Sequence, residues 1–506
     1  MYKRHTGQLS LFDDPQFFGS LPLDPNNEWV RLSKLIPWHE FDLKYRENFK
    51  SKKGQPACSS RMALGSLLIK PAYKGMSDED ITREIAMNPY LQFFLGLKEY
   101  RYQCPFDSSM MTRFRQRITP EMLSWVNDQI IERKKVQEDQ NKNGDSDDDP
   151  KDPPSDGGSD GGNSDSSDQS DEDNNEGTLI LDATCIPQGI RFPTDTSLLN
   201  EARVKTEAII DVLHENGMTE GDKPRTYRKQ AKNQYNSFSK SRKKTAKMIR
   251  TTIRKQLGYL RRNLSIIDGI IEKQPDCIEK LLSKYQQMQL SVIRVMYEQQ
   301  LTMYREKKHQ SEDRIVSISQ PFVRPIVRGK ATAPVEFGAK VEMSIVNGYL
   351  RIEDLRWDAY NESTTLIKSV EDYREAYGHY PERVLADTIF RTRENLKYCK
   401  ERGIHMNGPK LGKPYSDPKE QKLQKKLEWL ESGERSEIER SFGVGKNRYT
   451  LDRIVTKLKE TSEVSIHAAV LYMNLRKKLR LLFAFFIRRL LRSYESLPES
   501  RFYAIA

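Results

Sequence analysis

Two aspartates stand where an aspartate is costly. Asp182 interrupts the apolar run Thr178-LILDAT, and Asp387 lies near the end of the run Arg383-VLADTI. A carboxylate in an apolar strand is unfavourable unless it is paired or holds a metal. In open α/β sheets, ligand sites collect at strand ends. The two aspartates therefore fit a hard-cation site, where Mg2+ takes oxygens from one or two carboxylates and from substrate phosphates. The competing reading is an aspartate that ends a strand and caps the next turn. A third carboxylate comes later, in Lys425-KLEWLESGERSEIERSFG-Val444. There Arg435 and Glu439 are spaced i, i+4 and share one helix face. Lys446 joins that face only if the helix runs on through Gly443 and Gly445. An ordinary surface Arg–Glu pair has the same spacing.

The elements around these residues read as an interrupted α/β unit. After the strand at 178–184, Gly189-IRFP reads as its partner strand. Residues 197 to about 310 read as helical. Leu257, Leu260, Leu264, Ile267 and Ile271 repeat at 3-4-3-4, a coiled-coil-like seam. With Leu281 to Tyr304 this makes a long antiparallel hairpin, its seam packing internally rather than between two copies. Strands return in Phe337-GAKVEMSIVNGYLRIEDLRW. A helix (Thr365-LIKSVEDYREAYG), a strand (Arg383-VLADTI), a helix (Arg391-TRENLKYCKERG) and a short strand (Ile404-HM) follow. The end reads as two helices, 418–442 and 463–492, with Leu479 to Leu491 covering the sheet; a partner surface is the alternative. Strands first, then strand and helix in alternation, define an α/β domain with a helical insertion.

Upstream, residues 29–127 read as a small helical unit. Ser77 and Asp80 form a capping-box signature ahead of a helix through Ile81-TREIAMNPYLQFFLGL. A third helix, Ser108-SMMTRFRQRI, carries Arg113 and Arg115. Several short helices with exposed arginines suit a helix-turn-helix-like DNA module, and any helical bundle would look much the same.

Charge separates the chain into parts. Residues 138–177 hold 15 acidic residues against two lysines, a net of −13, so the rest carries +25 of a total of +12. That segment is too poor in apolar residues to offset ordering entropy and reads as a disordered linker, able to mimic DNA and shield the basic body. Residues 223–262 hold 15 Lys and Arg and no acid in 40 positions. Such a surface suits a polyanion, nucleic acid above all; the plainer reading is a solvated helix face. Arg242, Lys243, Lys244, Lys247, Arg250 and Arg254 are the candidate backbone contacts.

With 506 residues, two or three domains are expected. No apolar stretch is long enough for a membrane helix, and the first residues lack a secretory signal's apolar core. Five scattered cysteines without a CxxC indicate a reduced, intracellular chain without structural zinc.

The chain resembles DDE transposases of bacterial insertion sequences, in the group with a Tyr-x2-Arg-x3-Glu-x6-Lys signature. Arg435-SEI-Glu439-RSFGVG-Lys446 matches the Arg, Glu and Lys positions, and Ser432 stands at the Tyr position. Leu181-DATCIPQGIRFPTDTSLLNEA-Arg203 and Leu385-ADTIFRTRENLKYCKERGI resemble the two aspartate blocks. Ile36-PWHEFD through Phe114 resembles the helical domain that precedes the catalytic one.

The resemblance implies an RNase H-like α/β catalytic domain, a mixed sheet flanked by helices, with an all-helical insertion and an all-α N-terminal domain. Asp182 on the first strand, Asp387 on the fourth and Glu439 on a later helix would form the acidic triad. The expected boundaries are an arm at 1–28, a helical, DNA-binding domain at 29–137 and the acidic linker at 138–177. The catalytic domain covers 178–196 and 337–495, the basic insertion 197–336, and a tail 496–506. Only 52 residues separate Asp387 from Glu439, against 205 from Asp182 to Asp387, so the hairpin is expected between the second and third strands. The implied activity is Mg2+-dependent cleavage at element ends and strand transfer into target DNA, with Mn2+ as a substitute ion. Asp182 would be shared by two ions, Asp387 and Glu439 would hold one each, and Arg435 and Lys446 would touch phosphates. The implied partners are double-stranded DNA at element ends and target, and a second copy in the synaptic complex. The implied setting is the cytoplasmic nucleoid, with no membrane. The alternative is an inactive or purely hydrolytic RNase H-like DNA-binding protein derived from a transposase.

Overall fold

A computed structural model describes residues 2, 18, 21–49, 56–142, 175–219, 221–327, 335–409 and 417–495. Most of the acidic segment, the N-terminal arm and the C-terminal tail lie outside these residues.

The N-terminal unit is helical: α1 (Glu28–Ser33), α2 (Trp38–Arg46), α3 (Ser60–Ala72), α4 (Asp78–Met87), α5 (Pro89–Phe94), α6 (Met110–Arg117) and α7 (Pro120–Lys142). The expected Ser77–Asp80 capping box is present at the start of α4. The single helix expected beyond it is two helices. Pro89 disfavours the helical region for the residue before it, so Asn88 is extended and its side chain caps α5 instead. Phe18, Phe41, Tyr45, Leu64, Leu68, Phe94 and Phe114 form the centre of this core.

The strands are β1 (Thr178–Pro187), β2 (Arg324–Val327), β3 (Val335–Val346), β4 (Tyr349–Arg356), β5 (Arg383–Ala386) and β6 (His405–Met406). They form one mixed sheet in the order β2-β3-β1-β5-β6, with β4 also on β3. β1 is antiparallel to β3 and parallel to β5, and β5 is parallel to β6. Asn347 and Gly348 join β3 to β4, both at positive φ (51° and 77°), the two-residue turn that Asn-Gly favours. Gly189-IRFP forms no strand. Only Gln188 makes a bridge, to Ile454, and Gly189 packs so close that a Cβ would lie 2.7 Å from the Ile454 carbonyl.

The helical segment follows β1 directly: α8 (Asp195–Glu215), α9 (Arg228–Lys240), α10 (Ala246–Lys273), α11 (Cys277–Leu281) and α12 (Lys284–Glu306). It therefore enters after the first strand, not between the second and third. Leu257, Leu260, Leu264 and Ile267 pack within the chain, against Leu198, Ile209 and Ile210 of α8 and Ile293 and Met296 of α12. The expected hairpin of α10 and α12 thus gains α8 as a third member.

Helices cover both faces of the sheet. α13 (Leu366–Tyr377) and α14 (Arg393–Glu401) pack on the face of Leu179, Leu181 and Ala386. α15 (Pro418–Arg448) and α16 (Lys459–Glu495) pack on the face of Ile180, Ile186 and Leu385 through Ile438, Ile466 and Val470. α16 also gives Leu471, Tyr472, Leu475 and Leu479 to the N-terminal core, so one helix serves two cores. Of the stretch expected to cover the sheet, Leu479 packs in the N-terminal core and Leu481, Leu482, Phe483, Phe485 and Ile487 are exposed, while the side chains of 489–491 lie outside the described ones. Among the described residues no helix is long and apolar enough to cross a membrane.

Candidate active site

Alternation along β1 decides which side chains face α15. Ile180 and Ile186 lie on that side and Leu179 and Leu181 on the other, so Asp182 and Thr184 share the α15 face. Asp387 follows β5 directly. Leu181 pairs with Ala386 in the parallel β1–β5 ladder, which brings the next residues, Asp182 and Asp387, side by side. The carboxyl of Asp387 does what the plainer reading allows: it caps a short 3-10 turn, Oδ1 accepting from the Thr388 N–H at 2.6 Å. Its residue remains exposed at the sheet's edge.

α15 supplies the third acid. The helix continues unbroken through Gly443 and Gly445, so Arg435, Ile438, Glu439, Phe442 and Lys446 run along the side turned to β1. A Cβ at Gly445 would lie 2.7 Å from Leu451 Cδ1 and 3.2 Å from Met473 Sδ, so those side chains would have to shift to admit one. Arg435 joins two of the acids. Its Nη1 is 3.6 Å from Asp182 Oδ2 and its Nη2 is 2.7 Å from Glu439 Oε1. Lys446 Nζ donates to Thr184 Oγ1 at 2.8 Å, two residues along β1 from Asp182.

Burial pushes the Asp182 carboxyl up to about 6, and the nearby charges of Asp387 and Glu362 push the same way. The Ala183 N–H and Arg435 oppose that shift without cancelling it. Two neighbouring carboxylates, one of them desolvated, form a site short of positive charge, and in kind the donors suit a hard divalent ion. With Arg435 lying between Asp182 and Glu439, no group of three or more His, Cys, Asp or Glu among the described residues is gathered to hold an ion.

The sequence did not point to the contacts that seat α15. Glu431 Oε1 meets His405 Nε2 of β6 at 2.5 Å, Glu434 meets Arg383 of β5 at 3.1 Å, and Glu437 meets Lys477 of α16 at 3.0 Å. Thr184 is also missing from the sequence reading, although its place at i+2 from Asp182 in a strand is the signal that could have found it. The three contacts join distant segments, and spacing within one helix carries no sign of their partners.

The expected DNA contacts divide. Arg242, Lys243, Lys244, Lys247, Arg250 and Arg254 are all exposed at the elbow between α9 and α10. Lys244 lies over the Phe238 ring and Arg250 over the Tyr304 ring. Arg113 is exposed on α6. Arg115 is withdrawn from this set: it is buried and grips Asp78 with both nitrogens, at 2.7 and 2.8 Å. A guanidinium so used holds α6 to α4 and has no fork left for a phosphate.

Residues 384–476 match the family described as Transposase DDE domain, and residues 20–117 match Transposase domain (DUF772). The first match contains Asp387, Arg435, Glu439 and Lys446. Asp182 and the helical segment lie outside both. Together the two matches indicate an insertion-sequence DDE transposase. An uncharacterized protein, ORF8 in the nfe locus of Rhizobium meliloti, is 36% identical over 101 residues, 20% of this chain and 48% of that protein. The chain thus spans about half the length of that relative. No solved structure matches.

Proposed function

We propose that this transposase cleaves DNA at the ends of its element and joins them to target DNA, using an RNase H-like catalytic unit. In this reading Asp182, Asp387 and Glu439 hold Mg2+, or Mn2+ in its place. The observation that carries the reading is a pair of acids side by side, Asp182 on β1 and Asp387 just after the parallel strand β5, with Glu439 linked to Asp182 through Arg435. The antiparallel β4-β3-β1 group extended by parallel β5 and β6, with helices on both faces, supports the catalytic fold.

A phosphodiester anion repels nucleophiles and its alkoxide leaves poorly; bound divalent ions would supply the charge that offsets both. The chain's own residues do the rest. Asp182, the most buried of the three acids, is fixed by β1, while Glu439 rides on a helix anchored to β5 and β6. Lys446 lies beside Thr184, placed to meet a backbone phosphate entering along β1. The elbow cations and Arg113 would track DNA away from the reacting centre. Residues 29–137 are proposed as a DNA-binding unit and two copies as the synaptic form, acting at the nucleoid. The acidic segment is proposed to shield the elbow from stray DNA.

The test uses DNA that flanks the coding region. Asp182→Asn, Asp387→Asn and Glu439→Gln should each abolish Mg2+-dependent cleavage and leave DNA binding within about twofold. Retained cleavage in any one removes that residue from the set. Pre-cut ends incubated with a target plasmid then separate joining from simple hydrolysis.

A further inference from the structure

We propose that Arg435 is an exchangeable counter-ion: it holds Asp182 and Glu439 together in the place of a metal ion, and turns to a DNA phosphate when metal arrives. The inference rests on the reading that these carboxylates bind divalent metal.

The geometry is unusual for an arginine. A guanidinium commonly gives both nitrogens to one carboxylate. Here one nitrogen faces Asp182 Oδ2 at 3.6 Å and the other faces Glu439 Oε1 at 2.7 Å, so the fork spans two acids from different elements. Those oxygens are the ones a cation shared by β1 and α15 would need. A guanidinium and a divalent ion cannot both occupy the space between them.

The rest of α15 does not depend on this contact. Glu431 is held by His405, Glu434 by Arg383, Glu437 by Lys477 and Lys446 by Thr184, while Ile438 is fully buried. The backbone under Arg435 is therefore fixed from both sides, and its side chain can leave without moving the helix. Glu439 is half exposed, so it has room to turn toward an incoming ion. Exchange of one positive charge for two improves the balance against three acids, and the released guanidinium stays beside the site where an anionic substrate must lie. Metal and DNA binding are then linked: each favours the state in which Arg435 has left the acids.

The probe is Mn2+, titrated into the full chain without DNA and followed by electron paramagnetic resonance. Arg435→Gln and Arg435→Met should bind Mn2+ at least about fivefold more tightly than wild type, the lower end of coupling between linked sites. Arg435→Lys, which keeps the charge, should stay near wild type. A short duplex should raise the Mn2+ affinity of wild type more than that of Arg435→Gln. If both neutral variants, folded by circular dichroism, bind Mn2+ no better than wild type, the inference is overturned. Asp182→Asn separates this failure from a deeper one. If it leaves Mn2+ binding intact, the proposed metal site itself is wrong; if it removes binding while the Arg435 variants change nothing, only the counter-ion role falls.

Discussion

Glu342 is a buried acid on the opposite face of the sheet from Asp182, paired with Ala183 in the β1–β3 ladder, and its partners are hydroxyls rather than cations. Thr365 and Ser369 donate to its two oxygens, and burial pushes its carboxyl up to about 7. The folded chain therefore keeps a proton that the unfolded chain releases at ordinary carboxylate pH. Stability should fall as pH rises from about 4.5 to about 7 and level off above, by up to about 3 kcal/mol for the full shift. Glu342→Gln should remove that loss, so its melting temperature relative to wild type should climb between pH 5 and pH 8. A constant offset across that range would contradict the assignment. Legibility at this scale followed the physics of cost. Asp182 can be read because a lone carboxylate in an apolar strand needs a reason, whereas the role of Arg115 is hidden because its partner, Asp78, lies 37 residues earlier in the chain.

Among elements, α15 has two glycines one residue apart with opposite roles. At Gly443 a Cβ would meet nothing within 4 Å, while at Gly445 it would meet Leu451 and Met473. Gly443→Ala should stabilise the chain by about 0.5–1 kcal/mol through helix propensity. Gly445→Ala should destabilise it by about 1–3 kcal/mol through overpacking. Thermal denaturation of both variants decides this, and equal effects would mean the helix is not seated as described. The elbow between α9 and α10 offers a different test. Replacing Arg242, Lys243, Lys244 and Lys247 by Gln should flatten the salt dependence of DNA binding by about 0.9 log units for each phosphate no longer neutralised. An unchanged slope returns these residues to an ordinary solvated surface. Helix and strand identities were legible wherever period and propensity agreed, as in α10 and β1. The break at Asn88 is set by its neighbour Pro89, whereas the fate of 189–193 is set by Ile454, a residue far along the chain that no local pattern reveals.

For the whole molecule, α16 is the member on which integrity depends. Its Leu475 is fully buried in the N-terminal core while Val470 and Met473 pack under the sheet. Asn474 donates to Asn127 of α7 at 2.7 Å and to the Leu350 carbonyl of β4 at 2.7 Å, tying both units to one side chain. Leu475→Ala should cost about 2–5 kcal/mol. It should lower the melting of the sheet together with that of the helical unit, because neither core is complete without α16. Two separate transitions in calorimetry, only one of them shifted, would show the units to be independent. Nothing in the sequence forecast this sharing, since an apolar helix at the end of a chain does not say how many cores it closes.

The seating of residues 175–177 has a practical corollary. The Asn175 side chain donates to the Arg402 carbonyl and the Glu176 N–H to the Tyr380 carbonyl, while on the other side α7 is bound to α16. The chain is thus clamped to two separate segments before β1 begins, a few residues ahead of Asp182. A tag or protease site placed within 175–177 would undo that clamp and loosen the strand carrying Asp182, so any handle for following the protein belongs elsewhere.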